Sequence, residues 1–301
     1  MQGREHDWDE RDWDRLVEQI KDGCCTPFLG AGACSGTLPS RADLGRSWAR
    51  HYQYPFGDES QLHEVMQYAT TLEEDPVSVK RRVTRELSEL GAPDYTDPTE
   101  PHALLARFPI KVYLTTNYDD FMTRALERER KQPVTAVCPW YRGADTDLET
   151  SLPAGYEPDS RSPLVYHLHG SFRSSASLVL AEADYVEFLV KLAKDLGEDA
   201  RRVVPVQILP ALTRQPLLSI GYSLRDWSFR MLFHGFVATV ADVQRRRHVS
   251  VQLAPDADTS DDVRSRTRFY LTRYLAKLNL SVYWGSAREF CAELGRRLER
   301  A

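Results

Sequence analysis

Lys111 to Asp120 read KVYLTTNYDD. Val112 and Leu114 alternate as strand residues do. Thr115, Thr116, Asn117, Tyr118 and Asp119 then crowd polar groups onto the point where the strand should emerge. Phe121, Met122, Ala125 and Leu126 follow at helical spacing. A strand that feeds a helix across a polar turn is the repeating unit of an open α/β sheet, and in such sheets ligands bind outside the carboxyl ends of the strands.

The same unit recurs in both directions. Upstream, a helix near Trp13 to Ile20 leads into TPFLGAG and a helix around Leu44 to His51. Downstream come PVTAV, PLVYHLHGSF, SLVLAEADY with a helix through Phe188 and Leu192, and QPLLSIGYS with a helix from Asp226 to about Val240. HVSVQLA, a long helix from Asp262 to Leu278, the short strand LSVYW and a last helix from Ala287 complete the series. This rhythm predicts an α/β fold, a Rossmann-like parallel sheet with helices on both faces. Residues 54–99 break it, because QLHEVMQYATTLEED and VKRRVTRELSEL are polar and helix-like with no convincing strand. The expected organisation is a Rossmann-like domain made of residues 1–53 and 100–301. A smaller helical insertion, residues 54–99, forms one wall of its cleft.

Composition removes several classes. A chain of 301 residues can bury a real core without staples, and none of its apolar runs approaches the roughly 18 residues of a membrane span. The opening MQGREHDWDERDWDRLVEQIKDG lacks the apolar centre of a secretory signal, so a cytoplasmic location with no membrane association is expected. Cys24, Cys25, Cys34, Cys138 and Cys291 are odd in number and include no CxxC pair, which argues against a disulfide framework and a structural zinc site. A net charge of −5 offers no general attraction to nucleic acid, and the runs Arg245 to Arg247 and Arg296 to Arg300 read as solvated faces. No direct, sequence-specific nucleic-acid binding is expected.

Four stretches carry candidate chemistry. In PFLGAGACSG, Gly30 and Gly32 follow a strand and precede a helix, where backbone amides can approach a diphosphate; the bland alternative is a tight turn with no ligand. Position 35 is Ser35 and no acid follows at dehydrogenase spacing, so hydride transfer is disfavoured. Asn117 offers a donor and an acceptor without charge, suited to a ribose hydroxyl or a water. Asp119 fits either a site or a helix cap, and Asp120 reads as a cap. Period two places His167 and His169 on one strand face, but a metal would need a third ligand that is not visible. Gly170 and Ser171 end that strand, which makes His169 the natural general base and His167 its structural partner. QPLLSIGYSLRDWSFR ends another strand at Gly221, Tyr222 and Ser223, with Asp226 placed to cap a helix.

Taken together, GAG, TTNYD, HLHG and GYSLRD, in that order, resemble the sirtuin-like family and in particular its bacterial branch associated with antiphage defence. The resemblance covers roughly Thr26 to Gly235. It implies that NAD is the substrate and that Asn117 and His169 are the catalytic residues acting at the nicotinamide–ribose bond. It further implies that Gly30, Ala31, Gly32, Ser35, Thr116, Asp119, Gly221, Ser223 and Asp226 contact the dinucleotide, with no metal. Protein-deacylating sirtuins carry a four-cysteine zinc ribbon that this chain lacks, and CSGTLPSRADL replaces the family's proline-aspartate-phenylalanine-arginine loop. The expected activity is therefore NAD hydrolysis to nicotinamide and ADP-ribose, as a regulated effector that depletes NAD in antiphage defence. NAD-dependent protein deacylation and non-catalytic NAD or ADP-ribose sensing are the alternatives. By the same resemblance, the chain is expected to form a homo-oligomer and to rely on a separately encoded partner, either an ATPase/helicase or an Argonaute-type protein.

Overall fold

The structure is a computed structural model that describes residues 8–141, 143–144, 147–194, 203–222, 232, 248–252, 261–276 and 280–300. The chain begins with α1 (Glu10–Lys21), capped by Asp9, then runs through β1 (Thr26–Leu29), a single 3₁₀ turn at Ala31–Cys34, and α2 (Arg41–His51). Helices α3 (Leu62–Leu72), α4 (Pro76–Ser88) and α5 (Pro101–Ala106) follow before β2 (Val112–Thr115), α6 (Phe121–Arg128) and β3 (Val134–Val137). Next come β4 (Leu164–His167), α7 (Glu182–Lys194), α8 (Leu209–Thr213), β5 (Leu217–Ile220) and β6 (His248–Gln252). The described chain closes with α9 (Asp261–Ala276), β7 (Leu280–Trp284) and α10 (Ala287–Arg300).

The seven strands form one sheet in the order β3-β4-β2-β1-β5-β6-β7, and every pairing is parallel. Parallel strands need crossovers, which leave helices on both faces and bury the strands fully. The side chains show it. Phe28, Leu114, Leu164 and Tyr166 enter a core with Phe188 of α7, while Leu29, Tyr113, Val165 and Ile220 enter another with α1, α5, α6 and α10. From β1 the chain moves to β2 on one side, whereas from β5 it moves to β6 on the other, so β1 and β5 flank the topological switch point. A crevice outside the carboxyl ends of those strands is where this architecture binds ligands.

Residues 54–99 contain α3 and α4 and no strand. Their apolar faces pack not on the sheet but on α2 and on residues 178–181, in a third core that includes Trp48, Val65, Met66, Val83 and Leu180. Lys80 of α4 reaches across to Asp184 of α7 at 2.7 Å, and both side chains are largely withdrawn from water. Asp184 also accepts the amides of Leu180 and Ala181, so one carboxylate fixes the start of α7 and the seat of α4 together.

Three expectations change. The strand of PLVYHLHGSF stops at His167, and Leu168 and His169 turn away from it, so the period-two argument does not reach His169. Gly170 enforces the turn: its φ is +91°, and a Cβ there would lie 2.2 Å from the carbonyl of Ser177. SLVLAEADY forms no strand; Val179 donates one bond to the His169 carbonyl at 2.9 Å, and Leu178, Leu180 and Ala181 line the third core while Val179 and Tyr185 enter the first. Asp119, not Asp120, caps α6: its Oδ1 accepts the Phe121 amide at 3.0 Å, while Asp120 pairs with Arg124 at 2.8 Å. The helix expected from Asp226 to Val240 lies outside the described residues apart from Leu232.

Candidate functional site

The turn after β1 and the turn after β5 interlock through their backbones. Gly32 donates to the Gly221 carbonyl at 2.9 Å and Gly30 to that of Ile220 at 2.8 Å. Gly221 has φ +84°, and a Cβ on it would sit 2.2 Å from the Ala33 nitrogen. The glycines of GAG and GYS are thus required first by each other. The amides of Ala33 and Ser35 are likewise bonded, to the carbonyls of Gly30 and Gly32. Most of the loop's donors are therefore committed within the protein in this conformation. Tyr222 fills the space beside Gly30; its hydroxyl donates to the Leu29 carbonyl at 2.8 Å and so accepts from Thr116 Oγ1 at 2.9 Å.

Two cavities flank this turn. The first, with about 570 Å³ of space open to solvent, is lined by Ala31, Cys34, Arg41, Thr116, Asn117, Tyr118, Asp119 and Phe172, with Leu38, Pro39, Leu44, Leu62 and Leu87 as its apolar wall. That mixture of an apolar wall and a few fixed polar groups suits a small-molecule site. The second, about 1030 Å³, lies beyond Gly32 and Ser35 among Asp94, Asp97, Glu100 and Arg288. Its cation is already paired, Arg288 meeting Asp97 at 2.8 Å.

Asn117 is held with unusual completeness for a residue that lines a cavity. Its backbone amide bonds Thr115 Oγ1 at 2.9 Å, and His167 Nδ1 donates to its carbonyl at 3.0 Å. Side-chain Nδ2 donates to the Gly30 carbonyl at 3.0 Å and to Cys34 Sγ at 3.2 Å. Both amide protons are spent inward, so Oδ1 is the atom left to the cavity. Cys34 in turn donates its thiol proton to Asp119 Oδ2 at 3.2 Å. Burial, with the charge of Asp119 next, holds this thiol well above the ordinary cysteine range.

Burial holds His167 below the ordinary histidine range, and its bond to the Asn117 carbonyl puts the proton on Nδ1. His167 Nε2 is buried with no hydrogen-bond partner among the described residues. His169, 2% exposed, sits edge-on between Tyr185 and Phe188 of α7, with ring centroids 5.4 and 5.0 Å away. Beneath the first cavity, burial weighs against charging His102, but the hydrogen bond and charge of Glu100, 2.6 Å from Nδ1, outweigh it and hold His102 above its usual range.

The structure thus brings Ala31, Thr116, Asn117 and Asp119 to one cavity and Gly32 and Ser35 to the other. Gly30, Gly221 and His169 line neither of the two, and Ser223 and Asp226 lie outside the described residues. Arg41 and Phe172 were not singled out by the sequence reading, and Cys34 and Tyr118 were named there without a site role. Arg41 stands nine residues after Gly32 at the first position of α2 and bonds the Tyr185 hydroxyl; a lone basic residue there is a weak signal.

A doubly wound parallel sheet with a cavity outside the carboxyl ends of β1 and β2, floored by an asparagine from one strand end, defines a ligand-binding class of α/β protein. A family model described as SIR2-like domain matches residues 111–283, more than half of the chain. The chain belongs to the SIR2-like family.

Among curated proteins, the NAD(+) hydrolase ThsA of Acinetobacter baumannii (strain 532279) is 23% identical over 250 residues, covering 83% of this chain and 46% of that protein. The NAD(+) hydrolase ThsA of Bacillus cereus (strain MSX-D12) is 29% identical over 155 residues, covering 50% and 27%. The chain therefore spans less than half the length of these relatives. A solved Sir2 enzyme aligns over 97% of this chain and 98% of its own at 14% identity, with a TM-score of 0.42. Among the described residues no helix is long and apolar enough to cross a membrane.

Proposed function

We propose that the chain binds NAD in the first cavity and cleaves it to nicotinamide and ADP-ribose. The observation that carries the reading is Asn117: with both amide protons held by Gly30 and Cys34, its Oδ1 is a fixed, uncharged acceptor at the strand end where the family's ligand lies. Such an acceptor can orient a ribose hydroxyl or the attacking water without reorganising as charge develops. Bond cleavage builds positive charge on the ribose, as in glycoside hydrolysis. Nicotinamide leaves a cationic pyridinium as a neutral molecule, so no acid need protonate it. Water supplies the hydroxyl of ADP-ribose and releases one proton.

Within this reading His169 takes that proton or polarises a ribose hydroxyl, which requires its ring to leave the slot between Tyr185 and Phe188. Ala31, Thr116 and Asp119 line the bound ligand, Arg41 of the cavity wall approaches the diphosphate, and Gly30, Gly32, Ser35, Gly221, Ser223 and Asp226 complete the binding turns. Residues 54–99 act as a helical insertion whose Leu62 and Leu87 wall the cavity. The two relatives named NAD(+) hydrolase support the chemistry, and the family branch supports a role as a regulated, cytoplasmic effector of antiphage defence. Control would come from homo-oligomer assembly and a separately encoded ATPase/helicase or Argonaute-type partner.

The test is chromatography of nicotinamide, ADP-ribose and cyclised product after incubating purified protein with NAD. Asn117→Ala should lower nicotinamide release about a hundredfold and His169→Ala should lower it strongly; full cleavage by either variant would refute its assigned role. The burial of His169 also favours a second reading, a module that binds NAD without turning it over. Saturable NAD binding with no nicotinamide formed, with and without candidate partners, would establish that reading instead.

A further inference from the structure

Cys34, His102 and Asp119 come from the turn after β1, from α5 and from the turn after β2. They meet beneath the first cavity. Each offers one ligand atom, the three atoms lie within 4.8 Å of one another, and all three residues are buried. A tetrahedral ion with bonds of about 2.0–2.3 Å separates its ligand atoms by roughly 3.5 Å, so side-chain shifts on the order of 1 Å would close this trio around one.

The surroundings are those of a metal site. His102 Nδ1 faces Glu100 Oε1 at 2.6 Å, which leaves Nε2 for an ion; a carboxylate behind the ring is the usual device for aiming a ligand histidine. Asp119 is anchored through Oδ1 on the Phe121 amide and turns Oδ2 toward Cys34. Asn117 Nδ2 already donates to Cys34 Sγ, an interaction that steadies a thiolate. Cys34 and Asp119 both line the first cavity, which supplies the path of entry.

We propose that Cys34, His102 and Asp119 form a binding site for a zinc-class divalent cation, with a fourth coordination position open to the first cavity beside Asn117. A sulfur, nitrogen and oxygen donor set selects zinc or cobalt over magnesium and calcium, which take oxygen ligands. Coordination releases the Cys34 thiol proton, and any proton on His102 Nε2, to water; nothing is oxidised or reduced. The expectation of no metal rested on the absence of a CxxC pair, on His167 and His169 lacking a third ligand and on the family resemblance; this trio uses neither histidine and needs no CxxC spacing. Its readouts are metal content and spectrum, so it stands or falls separately from NAD cleavage.

The full chain, stripped with a chelator, is titrated with Zn²⁺ in competition with a chromophoric chelator and separately with Co²⁺. The expected result is one ion per chain and, with Co²⁺, a thiolate-to-cobalt charge-transfer band with the visible bands of a tetrahedral ion. His102→Gln should weaken Zn²⁺ binding about a hundredfold and Glu100→Gln, which keeps all three ligands, about tenfold. Circular dichroism reports whether each variant folds, and the wild-type cobalt spectrum decides the matter without any variant. His63→Gln, in the partly exposed His63, Glu64 and Glu182 group, should leave binding unchanged. Absence of the thiolate band from wild-type protein, or binding lost in His63→Gln but kept in His102→Gln, overturns the proposal.

Discussion

The two cavities beside the 31–36 turn share a wall and differ in nearly everything else. The first joins apolar side chains from α2, α3 and α4 to a few fixed polar groups at the end of β2. Among the described residues, the second sets Asp94, Asp97 and Glu100 against one cation, Arg288. A dinucleotide carries its charge on a diphosphate, which three carboxylates would repel and a lone, already paired arginine would not rescue. A glycine loop is thus compatible with a ligand on either side, and the partners packed against it decide which side is usable.

The comparison can be broken or sharpened in steps. Gly221→Ala should cost the most, roughly 4 kcal/mol in urea unfolding, because its Cβ meets the Ala33 nitrogen at 2.2 Å and φ is +84°. A near-neutral result would show that the shared wall is not held by the interlocked turns. Lys80→Met should destabilise by about 3 kcal/mol, since it leaves Asp184 charged, mostly buried and unpaired. A smaller loss would loosen the link between the apolar wall of the first cavity and the sheet.

Asn117→Ala is expected to lower NAD cleavage about a hundredfold, equivalent to about 2.7 kcal/mol of barrier, while thermal stability changes little by comparison. The pH dependence of stability comes next. Burial lowers the folded pKa of His167, so the unfolded chain takes up a proton first as the pH falls. This contribution is complete above the ordinary histidine pKa of about 6.5 and declines below it, by up to about 1.4 kcal/mol per pH unit, until the folded pKa is reached. His167→Gln should flatten that part of the curve. The smallest effect belongs to the second cavity. Arg288→Ala removes a pair whose arginine is two-thirds exposed, and should cost less than about 1 kcal/mol and change NAD cleavage less than twofold. A large fall in activity there would reverse the assignment of the two cavities.

Much of this was legible in the order of residues. Short apolar runs of four or five residues, several closed within a few residues by a glycine or an asparagine, announced a parallel sheet, and TTNYD and GAG marked the neighbouring strand ends of β2 and β1. HLHG was less readable. Its period-two spacing is a strand pattern, but the left-handed φ of Gly170 and the carbonyl of Ser177 pull the second histidine out of the strand and toward α7. His102 carried no readable signal, because its neighbours in space, Cys34 and Asp119, are distant in sequence and none of the three sits in a ligand-spaced motif.

The pattern of apolar runs and helical stretches sufficed to determine the parallel sheet with helices on both faces and the placing of Asn117 at a strand end, since period and polarity are local properties of a chain. Tertiary packing alone decided which side of the glycine turn offers a usable cavity, which histidine supports Asn117, and which three distant residues share one buried corner. Those outcomes depend on distances between segments far apart in sequence, and such distances exist only once the crossovers have closed.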